Sequence, residues 1–147
     1  MLEALDALLP WEAVRVRDPE ADLPPGVAGA YALLLALDRP VDFAWRGGAA
    51  RIGPGVFVYA GSAHGAGGMR ARLARHFRAD KRPHWHIDRL SVAAASLAAL
   101  ALPQGDECAI IAALLGQAGF TPPLPGFGSS DCRCCPSHLL SWNAVSR

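Results

Sequence analysis

The sequence predicts an α/β fold of the α+β kind, a three-stranded antiparallel sheet flanked by helices, on three observations. Residues 30–37 form an almost unbroken apolar run, too short for a helix and suited to a central strand buried on both faces. Residues 41–46 alternate apolar with polar or small side chains, and residues 56–60 follow a Pro54-Gly55 turn, so short turns would join three strands into a meander. Met69, Leu73 and Phe77 then recur four apart, the apolar stripe of a helix.

The remaining elements follow in order. Residues 2–11 can form a short helix, and residues 17–26 are a charged connector whose Pro19, Pro24 and Pro25 favour extended chain. Residues 1–26 are therefore expected to be an accessory arm ahead of a domain spanning 27–147. Asp38-Arg39-Pro40 turns the chain after the first strand, and Gly47-Gly48 breaks the second. A glycine-rich loop over 62–68 leads into the helix of 69–77, on which Arg72 and His76 share a face. Pro83 ends the next loop, residues 84–90 form a turn of helix, and the alanine-rich run 93–102 is read as a strand. Residues 106–118 form a further helix with Asp106 near its cap and Gly119 as its stop. Beyond Phe120, prolines and glycines predict a wrapped loop closed by a short strand at 138–142.

Composition narrows the setting. A chain of 147 residues that is 52% hydrophobic fits one domain able to bury a sizeable core. The formal net charge of +1 does not itself point to nucleic acid, but its distribution does. Arg70, Arg72, Arg75, Arg78, Lys81, Arg82 and Arg89 crowd one stretch, interleaved with His76, His84 and His86. The choice there is between a solvated helix face and a phosphate footprint, and the neighbouring glycine loops favour the footprint. Glu3 and Asp6 precede any apolar run, unlike a signal peptide, and the longest apolar stretch, 92–102, falls short of the ~20 residues that span a bilayer. The expected location is cytoplasmic, with no membrane contact; no protein partner is legible.

The chemistry concentrates in Val58-Tyr59-Ala60-Gly61-Ser62-Ala63 and Arg70-Ala71-Arg72-Leu73-Ala74-Arg75-His76-Phe77, with Gly29-Ala30-Tyr31 upstream. A strand delivers a tyrosine, glycines turn the chain, and a helix projects arginines to the same place, a layout suited to phosphodiester cleavage. Gly29-Ala30-Tyr31 and Tyr59-Ala60-Gly61 resemble the paired signatures of the GIY-YIG endonuclease superfamily, with alanine at each middle position. Arg82-Pro83-His84-Trp85-His86-Ile87-Asp88 and Gly126-Phe127-Gly128-Ser129-Ser130-Asp131-Cys132 look like a small branch catalogued as domain of unknown function 123, a Uri-like nuclease domain. Two departures stand out: the spacer between the tyrosines is long, and no asparagine follows the second helix.

The resemblance implies catalytic roles for Tyr31, Tyr59, Arg72, His76 and Glu107. Glu107 would hold one Mg²⁺ or Mn²⁺ through a hard carboxylate oxygen, and Arg72 would grip the scissile phosphate with two hydrogen bonds. One tyrosine, of the only two in the chain, would orient or deprotonate the attacking water, and His76 would serve as acid or phosphate ligand. DNA is the expected partner. Its phosphates would meet Gly61, Ser62, Arg70, Arg75, Arg78, Lys81, Arg82, His84 and His86, with Ser129 and Ser130 donating in place of the missing asparagine.

Two clusters have competing readings. His84, His86 and Asp88 could bind a transition metal, or Trp85 packs while the histidines face phosphate. Cys132, Cys134 and His138 could ligate zinc at a spacing unlike a standard finger, but burial, or a loop presenting Ser129, Ser130 and Asp131, is preferred. The sequence thus leads to a metal-dependent DNA endonuclease, in repair or processing. The alternatives are a non-catalytic nucleic-acid-binding module on the same fold and a zinc-linked interaction protein.

Overall fold

The structure, a computed structural model, describes residues 1–129 and 132–143. Its elements are α1 (Leu2–Leu8), β1 (Val14–Val16), α2 (Pro19–Asp22), β2 (Gly29–Leu37), β3 (Val41–Trp45), β4 (Gly48–Ile52), β5 (Gly55–Ala63), α3 (Gly68–Phe77), α4 (His86–Ala93), β6 (Ser96–Pro103), α5 (Glu107–Leu115), β7 (Phe120–Thr121) and β8 (Leu139–Trp142). Mixed α and β content with an antiparallel sheet is as expected. The size of the sheet is not: among the described residues six strands pair in the order β1-β6-β2-β5-β8-β7.

The apolar run of β2 makes it the centre. Strands buried on both faces need partners on both edges, and β2 pairs antiparallel with β5 along one edge and β6 along the other. The expected meander through β3 is therefore corrected. β3 pairs with β4 in a separate two-stranded sheet. Gly47-Gly48, read as a strand break, belongs to the turn of this hairpin: Trp45 pairs with Gly48, and the two residues between them, Arg46 and Gly47, have φ of 47° and 79°. The hairpin lies within the long spacer between Tyr31 and Tyr59, inserted between the end of β2 and the start of β5.

The pleat sends alternate residues to two cores. Tyr31, Leu33, Leu35 and Phe57 pack with Met69 and Leu73 of α3, Ile87 and Leu90 of α4, Phe43 and Ile52 of the hairpin, and Phe127. Ala30, Ala32, Leu34, Val58 and Ala60 face the other way, onto Leu5 of α1 and Ile110, Ile111 and Leu114 of α5. Fully burying one such leucine or isoleucine contributes about 1.5–3 kcal/mol. Residues 1–26, expected as an arm, supply β1, which pairs with β6, and buried Leu2, Leu5 and Leu9. The proline connector is not wholly extended: Pro19 takes the first position of α2, and the Asp18 side chain accepts from the Glu20 N–H at 3.2 Å.

Candidate active site

The two signature tyrosines lie on one face of the β2–β5 pair. Tyr31 stands opposite Gly61 in the register, and its phenol covers that glycine so closely that a Cβ there would collide with the ring. Glycine at 61 thus makes room for the tyrosine rather than a backbone site for phosphate, since Gly61 is itself buried. The Tyr31 hydroxyl is hydrogen-bonded to His76 Nε2 at 2.7 Å, and both residues are 1% exposed. Burial first, then the neighbouring Tyr59, holds the Tyr31 phenol well above its ordinary pKa, with Arg72 opposing. Burial and the Lys81 ammonium lower His76 to about 3, so its ring is neutral near pH 7. A buried neutral imidazole bonded to a phenol positions that phenol; it has neither the exposure for a phosphate ligand nor the charge for an acid.

Tyr59 pairs with Leu33 one step along the same face and is only half-buried. Burial and the Glu107 carboxylate push it up to about 12. Arg72, on α3, donates to the Ser62 carbonyl at 3.2 Å and lays its guanidinium over the Trp85 indole at 4.6 Å. The Ser62 hydroxyl donates to Glu107 Oε1 at 3.4 Å, and His138 Nδ1 lies 3.7 Å from Oε2. Glu107 opens α5, which packs on the opposite face of the sheet from the tyrosines, with Asp106 capping the helix by accepting from the Cys108 N–H. The two faces communicate because β8 pairs with β5 only to Tyr59, with one more backbone bond from Ala60 N–H to the His138 carbonyl. Tyr31, Tyr59, Ser62, Arg72, His76 and Glu107 are thereby gathered at one end of β5.

A cleft of about 520 Å³ opens beside Tyr59, between Trp85 and the hairpin residues Trp45 and Arg46, with Gly126-Phe127-Gly128 as its other wall. Trp45 stacks on Phe127 with centroids 5.5 Å apart, and His86 meets the edge of Trp45 at 4.8 Å. Gly128 has φ of 69°, and a Cβ there would lie 3.0 Å from the Tyr59 ring, so only glycine lets this wall approach the tyrosine. Trp85, His86 and Phe127 were named from the sequence in separate motifs, but Trp45 was not, because the hairpin that carries it was not foreseen, and so the cleft they form together escaped the sequence analysis.

The basic stretch divides. Arg78, Arg82, His84 and His86 are exposed, as a phosphate-binding role requires. Lys81 is not: its ammonium is buried and donates to the carbonyls of Arg75 and His76 and to the Ser91 hydroxyl. Arg75 is drawn onto Asp88 Oδ2 at 2.7 Å, and Arg70 onto the Glu20 carbonyl at 2.9 Å. Asp88 is the hub of this knot, its Oδ2 also accepting from the N–H groups of His84 and Trp85. Burial alone would raise its pKa, but those donors and the two cations outweigh burial and hold the carboxyl below its ordinary value. The local signal was available: Asp88 sits three residues into α4 from Trp85, the place of a capping-box acid. With Asp88 committed to this knot and Trp85 lying under the guanidinium groups of Arg72 and Arg75, the geometry favours the alternative to a metal at His84-Trp85-His86-Ile87-Asp88, in which the exposed histidines are free to face phosphate or solvent. Ser129 is buried at 6% exposure and its N–H donates to the Gly126 carbonyl, so its backbone donor is spent inside the loop. Ser130 and Asp131 lie outside the described residues.

No curated protein and no solved structure matches the chain. A family model described as "Domain of unknown function DUF123" matches residues 30–147, from the first residue after Gly29 to the last of the chain and so across every side chain gathered at the end of β5. The chain belongs to the DUF123 family.

Proposed function

We propose that the protein is a metal-dependent endonuclease of the GIY-YIG kind that hydrolyses DNA phosphodiester bonds, in repair or processing, in the cytoplasm. The observation that carries this reading is the linked set at the end of β5: Arg72 on the Ser62 carbonyl, the Ser62 hydroxyl on Glu107, and Tyr31 over Gly61. Glu107 suits Mg²⁺ or Mn²⁺. Its side chain is 29% exposed, and its contacts at 3.4 and 3.7 Å leave lone pairs on both oxygens for a hard cation that keeps several waters. Such a cation supplies Lewis-acid stabilisation of the charge that builds on phosphate.

The chain's own groups divide the remaining work. Arg72, half-buried and braced by Trp85, presents the remainder of its guanidinium to a phosphate oxygen. Tyr59 is the better of the two phenols for the attacking water, being more accessible and less shifted than Tyr31, whose hydroxyl His76 fixes in place. Exposed Arg78 and Arg82 would carry the flanking phosphates, and the aromatic cleft offers rings on which bases could stack.

Supercoiled, branched and single-stranded DNA incubated with Mg²⁺ or Mn²⁺ should be nicked by the parent protein, with Glu107→Ala slower by about 10²–10³-fold, the scale of losing one electrostatic stabiliser. Equal activity in that variant would remove the proposal. The second reading, binding without turnover, is favoured by the cleft, which needs no metal; Glu107→Gln binding DNA as the parent does, beside a parent that never cleaves, would select it.

A further inference from the structure

Behind Glu107 stands a cluster that the proposed cleavage does not use. Cys108, in the first turn of α5, and Cys132, Cys135 and His138, from the loop before β8, each bring one ligand atom within 4.8 Å of all the others. Cys108 Sγ and Cys132 Sγ are 3.3 Å apart and remain free thiols. In a tetrahedral zinc site, bonds of about 2.3 Å to sulfur and about 2.0 Å to nitrogen separate the ligand atoms by about 3.5–3.8 Å. The cluster therefore needs only small side-chain adjustments to close around one ion.

His138 supplies an independent sign. It is 3% exposed, and its Nε2 is one of three buried side-chain atoms, with His76 Nδ1 and Asp88 Oδ1, that have no hydrogen-bond partner among the described residues; of the three residues it alone belongs to the thiol cluster. The other ring nitrogen faces the Glu107 carboxylate, the arrangement in which a carboxylate orients a metal-bound imidazole. The ligand set also has the spacing that Cys132, Cys134 and His138 lack. Cys132 and Cys135 are separated by two residues, as are Cys135 and His138, within the range of structural zinc loops. Cys134 is exposed and outside the set.

We propose that Cys108, Cys132, Cys135 and His138 form a closed, structural Cys₃His zinc site that pins the loop carrying Gly126–Gly128 to the start of α5. Three thiolates and an imidazole select zinc over the hard cations suited to Glu107, and four protein ligands leave no position for substrate. The preference for simple burial at these cysteines is reversed. The ion would fix the wall of the cleft against Tyr59 and hold His138 beside Glu107.

Tag-free protein kept reduced should carry close to one zinc per chain by elemental analysis. Cys135→Ser and His138→Ala should lose it, while Cys134→Ser keeps it. Should the ligand variants fail to fold, parent protein stripped by chelator and titrated with Co²⁺ should saturate at one equivalent, with the visible absorption of tetrahedral thiolate-bound cobalt. Hydrogen exchange on the stripped protein should quicken at the Gly126 and His138 amides, which close the loop, and stay unchanged at His84 and Trp85. The proposal falls if the protein holds no zinc and gives no cobalt spectrum, if Cys135→Ser keeps zinc or Cys134→Ser loses it, if mass spectrometry finds a Cys108–Cys132 disulfide in the reduced protein, or if chelation loosens both loops alike. None of these readouts involves DNA, so they stand apart from the test of cleavage.

Discussion

Two irregular loops wall the aromatic cleft, and they are secured in different ways. The loop over residues 78–85 closes on Asp88, a buried carboxylate whose Oδ2 takes hydrogen bonds from Arg75 and two backbone N–H groups while Oδ1 faces the Lys81 ammonium at 3.9 Å. The loop over residues 122–138 closes on thiols, which are weak hydrogen-bonding groups, and on an imidazole with one nitrogen unmatched among the described residues. The first loop draws its partners from the chain itself. Neither loop is fully hydrogen-bonded, since Asp88 Oδ1 also has no hydrogen-bond partner among the described residues, but the first is held by opposite charges and the second, on the zinc proposal, by an ion.

The strongest way to break the comparison is to remove Asp88. Asp88→Asn keeps the shape of the side chain and deletes its charge, leaving the Lys81 ammonium buried and Arg75 without its ion-pair partner. Removing one partner of a buried pair costs about 3–5 kcal/mol, and urea unfolding should register a loss of that size whether or not zinc is present. A loss below about 1 kcal/mol, the range of exposed ion pairs, would show that the loop is held by something other than this charge.

Acid should act on the first loop through His76 as well, since Lys81 ties the two by donating to the His76 carbonyl. The folded ring has its pKa lowered to about 3 from an ordinary 6.5, so between those values the unfolded chain binds more protons and stability falls as the pH is lowered. The expected slope approaches about 1.4 kcal/mol per pH unit below pH 6.5, over and above the contribution of the carboxylates. His76→Gln cannot take up that proton, so its stability should change less steeply over the same window. Parallel curves for parent and variant would mean that the folded ring takes up its proton over the same pH range as the unfolded chain, so that burial does not lower its pKa.

The same contrast explains how much was legible in the sequence. Patterns governed by local geometry were readable: the apolar run of β2, the Met69-Leu73 stripe of α3, the Asp106 cap of α5. What depended on distant partners was not. β1 is three residues long and exists because β6 offers it an edge; β3 looked like the neighbour of β2 because sequence order was the only guide, although β5 matches β2 across nine residue pairs. Lys81 and Arg82 are adjacent and chemically alike, yet one is buried against Ser91 and the other exposed. At the cysteines the set weighed from sequence was Cys132, Cys134 and His138, whereas the fold brings Cys108 and Cys135 to Cys132 and His138, a grouping that depends on a contact with the distant start of α5.

The smallest expected effect is also the sharpest on nucleic acid. Each Lys or Arg that neutralises a phosphate contributes about −0.9 to the slope of log affinity against log salt on duplex DNA. Arg78 and Arg82 are exposed on the loop that leads to the cleft residues His84 and Trp85, whereas Lys81 is spent on the protein interior. Arg78→Ala with Arg82→Ala should therefore flatten the slope by up to about two such contributions, with little loss of stability. Lys81→Met should do the reverse, lowering stability while leaving the slope of the folded fraction unchanged. Fluorescence anisotropy on one duplex from low to moderate salt would distinguish the two. A slope that falls with Lys81→Met and not with the arginine pair would place the phosphate path on the far side of the loop, away from Trp85 and the cleft.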